Sequence, residues 1–222
     1  MGRDSRTESW PGVFIAFEGI DGSGKSTVAA AVARSLKHDW DRAVILTREP
    51  GGTPLGEGVR ALVLSAASAG ITGLAELLLF SAARAQHVAE VIEPQLQRGS
   101  IIVCDRFTDS TLAYQWGGRG IPRQTIEAAQ RLATGGITPD LRILLDVPVD
   151  AAIARRHAEV ESVDRFDAER AAFHQAVRDT YLGLAAESPA DWLVIDASSS
   201  PAEVVETTYR KVTEWLHGFV AG

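Results

Sequence analysis

The sequence predicts an α/β fold of three layers (α/β/α), with five parallel strands in one sheet between two layers of helices. Short apolar runs alternate with longer segments of helical periodicity, which is typical of βαβ units. The run Ile101–Cys104 is apolar throughout, as a strand buried on both faces should be. The expected strands are Val13–Phe17, Ala43–Thr47, Ile101–Cys104, Leu141–Asp146 and Trp192–Ile195.

Helical patterns separate these strands, and polar motifs follow several strands directly. Such motifs begin at Gly19, Arg48, Asp105 and Asp196. Because ligands of open α/β sheets collect outside the carboxyl ends of the strands, we expect a binding site at that edge. The expected helices are Lys25–Lys37, Leu55–Ser65, Leu74–Arg98, Arg123–Ala133, Asp150–Arg156, Glu169–Ala186 and Pro201–Phe219.

Length and composition limit the domain organisation and the partners. The 222 residues suffice for one domain, expected over residues 12–222, after a disordered polar tail at residues 1–11. The net charge of −7 argues against a nucleic-acid partner, whose binding relies on Lys and Arg. No apolar run approaches the ~20 residues of a membrane span. The single cysteine, Cys104, fits a reducing compartment, so we expect a cytoplasmic location.

The segment Gly19–Thr27 has the pattern G-x-x-x-x-G-K-[ST] of a phosphate-binding P-loop. An apolar strand precedes it and a helical pattern follows it, which is the context the motif requires. Its glycines let backbone N–H groups close around phosphate oxygens. Lys25 would reach the β- and γ-phosphates, and Ser26 would hold Mg²⁺. The sequence therefore predicts ATP binding by the residues Gly19, Ile20, Asp21, Gly22, Ser23, Gly24, Lys25, Ser26 and Thr27.

The rest of the sequence argues against three other classes of P-loop protein. The chain contains no asparagine, so it lacks the Asn-Lys-x-Asp motif by which GTPases read guanine. It also lacks the Leu-Ser-Gly-Gly-Gln signature of transporter ATPases. Ile20 stands where partitioning ATPases place a second lysine. Elimination favours a small-molecule kinase.

From Phe14 to Ala197 the chain resembles the thymidylate kinase family, whose motifs occur here in the family's order. This resemblance implies a P-loop kinase that transfers the γ-phosphate of ATP to dTMP in line, with Mg²⁺, as a homodimer. The apolar segment Leu74–Gln97 could supply the dimer interface, or could equally be core. The matching motifs begin at Glu18, Thr47, Leu79, Asp105, Asp164 and Ile195.

The resemblance assigns two arginines to the acceptor phosphate. Arg48 and Arg106 follow the second and third expected strands, where bidentate guanidinium groups could offset the repulsion between two phosphates. Glu49 and Pro50 would shape the turn that presents Arg48. The alternative for each arginine is a surface ion pair.

The resemblance also assigns residues to the thymine base and the sugar. Phe80 would stack on the base and Arg84 would hydrogen-bond its edge, since residues four apart share a helix face. The alternative for Phe80 is a core position. Tyr114 would lie against the sugar, or could be a packing tyrosine. Thr111 and Gln115 would also contact the edge of the base, and Ser110 would belong to the same dTMP site.

Three residues are candidates for the metal. Asp105 ends an apolar strand, as a Walker B-type carboxylate should, and would hold Mg²⁺ together with Ser26. The resemblance adds Asp21, which in the family contacts both the metal and the region of the sugar 3′-hydroxyl.

The catalytic arginine is the least determined residue. The P-loop of this chain contains no arginine, so the resemblance is to the bacterial type, in which a lid supplies it; Lys25 and Arg106 would also be catalytic. We expect a short lid at about residues 155–168, although the usual basic Arg-Gly sequence is absent. Candidates are Arg155, Arg156 and Arg165. Arg155 or Arg156 could instead pack on adenine, beside Asp196 and Ala197.

Two rival functions remain open from the sequence. The first is another nucleotide or nucleoside kinase, which the Pro-Gly-Gly after Glu49 disfavours. The second is a regulatory protein that holds ATP without transferring phosphate, toward which the atypical lid points.

Overall fold

The computed structural model describes residues 10–65, 70–159 and 171–221, without the side chains of residues 157–159 and 220–221. Residues 1–9 of the predicted tail lie outside these ranges, as do most of the predicted lid and its candidate Arg165. Trp10 is half-buried against the core, and Arg42 donates to the carbonyl of Pro11. No helix in the described ranges is long and apolar enough to cross a membrane.

Five strands form one parallel sheet in the order β2-β3-β1-β4-β5. The predicted α/β fold is confirmed, and every expected strand lies within one residue of its observed bounds. In the central pair Phe17 is in register with Asp105, so the carboxyl ends of β1 and β3 meet at the same edge. The strands are β1 (Val13–Glu18), β2 (Val44–Arg48), β3 (Ile101–Asp105), β4 (Leu141–Asp146) and β5 (Trp192–Asp196).

Helices cover both faces of the sheet. Alternate residues of β1 enter two separate core clusters: Ile15 packs with α1, whereas Phe14 and Ala16 pack with the segment that precedes β3. This alternation produces the three layers. The helices are α1 (Lys25–Asp39), α2 (Pro54–Leu64), α3 (Gly73–His87), α4 (Glu93–Gln97), α5 (Thr108–Thr111), α6 (Arg123–Thr134), α7 (Val149–Glu159), α8 (Ala171–Glu187) and α9 (Pro201–Ala221), with a short 3₁₀ turn at Pro189–Asp191.

The single helix expected over residues 74–98 contains a wider turn. A π-helical segment, Val88–Ile92, separates α3 from α4, and the N–H of Glu93 donates to the carbonyl five residues back at Val88. Pro94 explains the wider turn, because its ring would clash with the carbonyl four residues earlier and it has no N–H to donate. The expected helix is thus continuous from residue 73 to residue 97, and the wider turn within it was not predicted.

A second π-helical segment, Leu112–Gly118, follows α5 and was not expected as helix. It packs directly on α8, and a Cβ at Gly117 would lie 2.0 Å from Thr180 Oγ1. A Cβ at Gly118 would lie 2.4 Å from the ring of Phe173. The two glycines therefore permit the close approach that holds this segment, and Tyr114 within it, at the edge of the sheet.

Candidate active site

A cleft of about 690 Å³ opens at the carboxyl edge of the sheet. It brings together residues from the P-loop, from the ends of β2 and β3, from α3, and from residues 108–118 and α7. Most of the residues predicted from the sequence line it: Asp21, Gly22, Gly24, Lys25, Ser26, Thr27, Arg48, Glu49, Pro50, Phe80, Arg84, Asp105, Arg106, Ser110, Thr111, Tyr114, Gln115 and Arg156.

The P-loop joins β1 to α1. Gly24 caps α1 with φ 85°, a conformation that favours glycine. The first turn of α1, from Lys25 on, carries no acidic residue in its sequence, and the positive end of the helix lies at the cleft. A Cβ at Gly22 would lie 2.2 Å from the carbonyl of Ala152 in α7. The loop is thus closely packed and shaped for an anion.

Lys25 is buried within this loop. Its Nζ donates to the carbonyl of Ile20 at 3.4 Å and lies 3.6 Å from Asp21 Oδ1. Burial and the neighbouring Arg106 lower the pKa of Lys25. The negative charges of Asp21 and Asp105 act in the opposite direction and raise it. The geometry places this ammonium group in the loop that would hold phosphates.

Ser26 and Asp105 form the pair expected for a magnesium site. Ser26 Oγ donates to Asp105 Oδ2 at 2.5 Å. The other oxygen, Oδ1, is buried and has no hydrogen-bond partner in the described ranges. A buried carboxylate oxygen with spare lone pairs beside a P-loop hydroxyl is a donor set that fits Mg²⁺. The oxygens of Asp21 already accept hydrogen bonds, Oδ1 from Arg106 and Oδ2 from Tyr114.

Arg106 is the most constrained arginine of the cleft. Its backbone has φ 72°, the sole positive value at a non-glycine residue in the described ranges, which is uncommon for such residues. Its guanidinium group donates to Asp21 at 2.7 Å, to Tyr114 at 3.1 Å, to Ser110 at 3.1 Å and to Tyr181 at 3.3 Å. These contacts fix a positive charge one residue after Asp105.

The negative charge of Asp21 is stabilised by two positively charged neighbours, Arg106 and Lys25. Although burial opposes ionisation, Arg106 and Lys25 hold the pKa of Asp21 below its ordinary value. Tyr114 Oη donates to Asp21 Oδ2 at 2.7 Å. Arg106 lies over the Tyr114 ring, 4.9 Å from its centroid. Asp21, Arg106 and Tyr114 therefore form one hydrogen-bonded group at the centre of the cleft.

Two more arginines line the same side of the cleft. Arg48 is half-exposed, and its Nη2 donates to both carboxylate oxygens of Glu57, at 3.0 and 2.9 Å. Arg60, which the sequence analysis did not identify, donates to the carbonyl of Pro50. Burial lowers the pKa of Arg60, and so do Arg48 and Arg106. Arg60 thus lies within the field of two other guanidinium groups, and this concentration of positive charge indicates a site for an anion.

Arg84 is buried and held in one orientation. Its Nε donates to Glu49 at 2.7 Å, and one Nη donates to the carbonyl of Phe107 and to Thr111 Oγ1, both at 3.0 Å. The remaining Nη1 is buried without a hydrogen-bond partner in the described ranges. The side chain of Glu49 thus pairs with Arg84, while its backbone lies in the turn that follows Arg48.

The other base-site candidates are also at the cleft. Phe80 is half-buried: it packs against the core on one side and lines the cleft on the other. Gln115 is buried and its amide donates to Glu76 at 2.7 Å. His87, to which the sequence analysis assigned nothing, contacts Glu49 at 2.9 Å and Thr47 at 2.7 Å. It supports the Glu49–Arg84 pair from behind.

Glu18 and Tyr181 form a buried network that the sequence did not reveal. Glu18 Oε1 accepts from the N–H of Phe107 at 2.9 Å, and Oε2 accepts from Ser110 at 2.5 Å and from Tyr181 at 3.0 Å. The bond from Phe107 holds the turn in which Arg106 takes its positive φ. This network therefore supports Arg106 from beneath the cleft.

Glu18 makes the stability of the protein depend on pH. Burial raises the pKa of its carboxyl from 4.5 to about 7, and the charge of Asp109 adds to this. Between these pH values the folded state binds a proton that the unfolded state has lost, so the free energy of unfolding should fall as pH rises. The fall should be on the order of 3 kcal/mol and end above pH 7. Urea unfolding at pH 5 to 8 measures it, and a slope that persists in Glu18→Gln contradicts this assignment.

The two described lid arginines have different surroundings. Arg156 lines the cleft and lies close enough to Asp21 to affect its pKa. Arg155 donates to the carbonyl of Ser198 at 3.4 Å, away from the cleft. Asp196 ends β5 and Ala197 follows it, next to that contact, and neither residue lines the cleft. The structure thus separates the two candidates.

The parallel sheet, the P-loop, the Ser26–Asp105 pair and the opposed guanidinium groups define a P-loop phosphotransferase. Residues 17–208 match the family model for thymidylate kinase. The chain belongs to the thymidylate kinase family, and it is an enzyme that phosphorylates dTMP to dTDP.

Individual relatives agree over nearly their whole length. The chain is 50% identical to the thymidylate kinase of Trichlorobacter lovleyi over 197 residues, which are 86% of this chain and 92% of that protein. It is 46% identical to that of Thermomicrobium roseum over 206 residues, 93% and 95% of the two chains. The crystal structure of thymidylate kinase from Ehrlichia chaffeensis superposes with a TM-score of 0.74 at 35% identity and covers 92% of this chain and 98% of that one.

Proposed function

We propose that the enzyme transfers the γ-phosphate of ATP in line to the phosphate of dTMP, with ATP on the P-loop and dTMP on the opposite side of the cleft. The observation that carries this is the adjacency of Asp105, which bonds the P-loop Ser26, and Arg106, which faces the acceptor side. Donor and acceptor phosphates would meet between them. Positioning and charge then account for the chemistry without a covalent intermediate.

On the acceptor side, we propose that Arg48, Arg60 and Arg106 bind the phosphate of dTMP. Arg48 and Arg106 both repel the guanidinium group of Arg60, and an acceptor dianion would relieve this repulsion. Arg48 would exchange part of its contact with the exposed Glu57 for the phosphate. Tyr114 and Asp21 lie beside Arg106, where they would meet the deoxyribose.

For the base, we propose stacking on Phe80 and hydrogen bonds to Arg84 and Gln115. The buried Arg84 Nη1 has no hydrogen-bond partner in the described ranges, and a thymine carbonyl would supply one. Thr111 and Ser110 line the same part of the cleft and already bond Arg84 and Arg106, so their contribution would be to hold those arginines.

We propose that Ser26 and Asp105 hold the Mg²⁺ that accompanies ATP. The buried Asp105 oxygen without a described partner supports this. When bound, the ion would neutralise charge on the transferring phosphates. Asp21 is the weaker candidate, because Arg106 and Tyr114 occupy its oxygens.

We propose that the enzyme is of the type whose lid supplies the catalytic arginine. The P-loop sequence contains none, and Arg156 lines the cleft near Asp21. Arg155 bonds Ser198 after β5, which supports a place for it beside adenine with Asp196 and Ala197. Arg165 lies outside the described residues and stays a candidate by sequence.

We also propose a cytoplasmic homodimer. Four exposed leucines on α2 and α3 support an interface on that face: Leu55, Leu62, Leu74 and Leu78. A buried, unpaired Cys104 is consistent with a reducing compartment.

An assay that couples ADP release to a panel of acceptors tests the function. We expect dTMP to be the best acceptor. Ribonucleotides should be poorer because Tyr114 and Asp21 crowd the sugar site, and dUMP should be poorer because it lacks the methyl group of thymine. Better turnover of thymidine than of dTMP would indicate a nucleoside kinase. ATP binding without turnover of any acceptor would indicate a regulatory nucleotide-binding protein.

A further inference from the structure

Gln115 stands between the cleft and a buried carboxylate on α3. It lines the cleft, whereas Glu76 lies behind it, fully buried and not in the cleft wall. Gln115 Nε2 donates to Glu76 Oε1 at 2.7 Å, and the guanidinium group of Arg119 lies 3.7 Å from the same oxygen. Glu76 touches no residue of the P-loop in these contacts, and its effect on a ligand would pass through Gln115.

The carboxylate determines which way the amide of Gln115 is turned. A glutamine side chain has a donor end and an acceptor end of nearly equal shape, so its orientation follows from its partners. An ionised carboxylate accepts and does not donate. Arg119 supplies the counter-charge that this state needs. The NH₂ end of Gln115 is therefore bound to Glu76, which leaves the carbonyl oxygen Oε1 as the end that a ligand can meet.

Arg84 presents the opposite chemistry. A guanidinium group only donates, and its buried Nη1 has no partner within the described part of the chain. The cleft thus offers a donor and an acceptor. Thymine and uracil match this pair with their 4-carbonyl and N3–H, whereas cytosine presents an amine and an unprotonated N3, which match neither.

We propose that Glu76 is a positioning residue for base specificity, which fixes the amide of Gln115 so that its carbonyl accepts from N3–H and cytosine is rejected. The proposal rests on the placement of the base between Arg84 and Gln115 described above. It requires no contact between Glu76 and the substrate. Loss of the carboxylate should change which base is accepted, in addition to any effect on stability.

Glu76→Gln tests the proposal, with Glu206→Gln on the exposed face of α9 as the matched control. A glutamine at position 76 can bond the amide of Gln115 in either orientation. Gln115 could then turn its NH₂ group toward cytosine N3 without losing its hydrogen bond to residue 76. We expect the ratio of kcat/KM for dTMP to that for dCMP to fall about 10- to 100-fold, the range of one unsatisfied buried group. The KM for ATP should be unchanged. A ratio equal to that of wild type, with dTMP still turned over, overturns the proposal.

A double-mutant cycle separates positioning from a purely structural role. Gln115→Met removes both ends of the amide and should lower the dTMP/dCMP ratio by itself. If Glu76 acts through Gln115, adding Glu76→Gln to Gln115→Met should leave that ratio unchanged. Independent effects that multiply would overturn the proposal. Should Glu76→Gln fail to fold, Glu76→Met, which keeps the length and removes the acceptor, replaces it in the cycle.

A measurement on the wild-type enzyme needs no variant. The 3-methyl derivative of dTMP lacks N3–H and should be turned over at least about 100-fold less efficiently than dTMP, since its methyl group meets a buried acceptor. Equal turnover would show that Gln115 does not face N3 with its oxygen and would overturn the proposal. Failure to turn over dTMP itself would contradict the proposed function instead, so the two failures can be distinguished.

Discussion

Replacing Arg106 by alanine should lower kcat/KM for dTMP by about 10³-fold while the affinity for ATP stays the same. Two charge-assisted hydrogen bonds to the acceptor phosphate would be lost, each contributing about 1.5–3 kcal/mol. The backbone adds no further cost, because alanine and arginine both carry a Cβ at φ 72°. Steady-state kinetics with dTMP varied, together with calorimetric ATP binding, measure the two effects.

Three further variants give this prediction its controls. Arg106→Lys keeps the charge without the bidentate geometry and should lie between alanine and wild type. Arg48→Ala should raise the KM for dTMP less, since Arg48 is half-exposed and paired with Glu57. Arg131→Ala, on the exposed face of α6, should change neither constant. Weakened ATP binding in Arg106→Ala, with dTMP kinetics intact, would place this arginine on the donor side.

Replacing Lys25 by methionine should lower kcat by about 10²- to 10³-fold, with little change in the KM for dTMP. Methionine is close to lysine in length, so the buried position stays filled and only the charge is removed. The ammonium group would stabilise charge on the transferring phosphate in a water-poor loop, where one such group contributes about 3–4 kcal/mol. Single-turnover rates with bound ATP and saturating dTMP report this step directly.

Lys37→Met is the matched control for Lys25→Met, because it makes the same change on an exposed position of α1. It should retain wild-type rates. Retention of kcat by Lys25→Met would contradict the role of Lys25 in transfer. A large rise in the KM for dTMP as the main effect would instead assign Lys25 to the acceptor.

The strands could be predicted from the sequence because each is a short apolar run with a polar motif at its end. Their order in the sheet could not, since nothing local states that β1 lies between β3 and β4. Residues 108–118 were not predicted to be helical, because the segment begins with residues that do not show a helical pattern. Thr108, Asp109, Ser110 and Thr111 are polar and yet buried, so the segment lacks the apolar stripe by which helices are recognised.

The residues predicted for the site are those that belong to contiguous motifs. The supporting residues were missed because their contacts are distant along the chain. Tyr181 reaches Glu18 across 163 positions, and Gln115 reaches Glu76 across 39. His87 and Arg60 carry no local signal that separates them from any helical histidine or arginine. Hydrogen bonds between residues so far apart along the chain depend on the three-dimensional fold. They could not be predicted from the pattern of a single sequence.

In the proposed mode of binding, phosphate recognition and base recognition lie on different kinds of element. Asp105 and Arg106 are consecutive residues at the end of a strand that is hydrogen-bonded on both sides. Arg84 and Glu76 belong to α3, on the other wall of the cleft. Variants of α3 could therefore be selected to activate nucleotide drugs with altered bases, while the strand that aligns the two phosphates is left as it is.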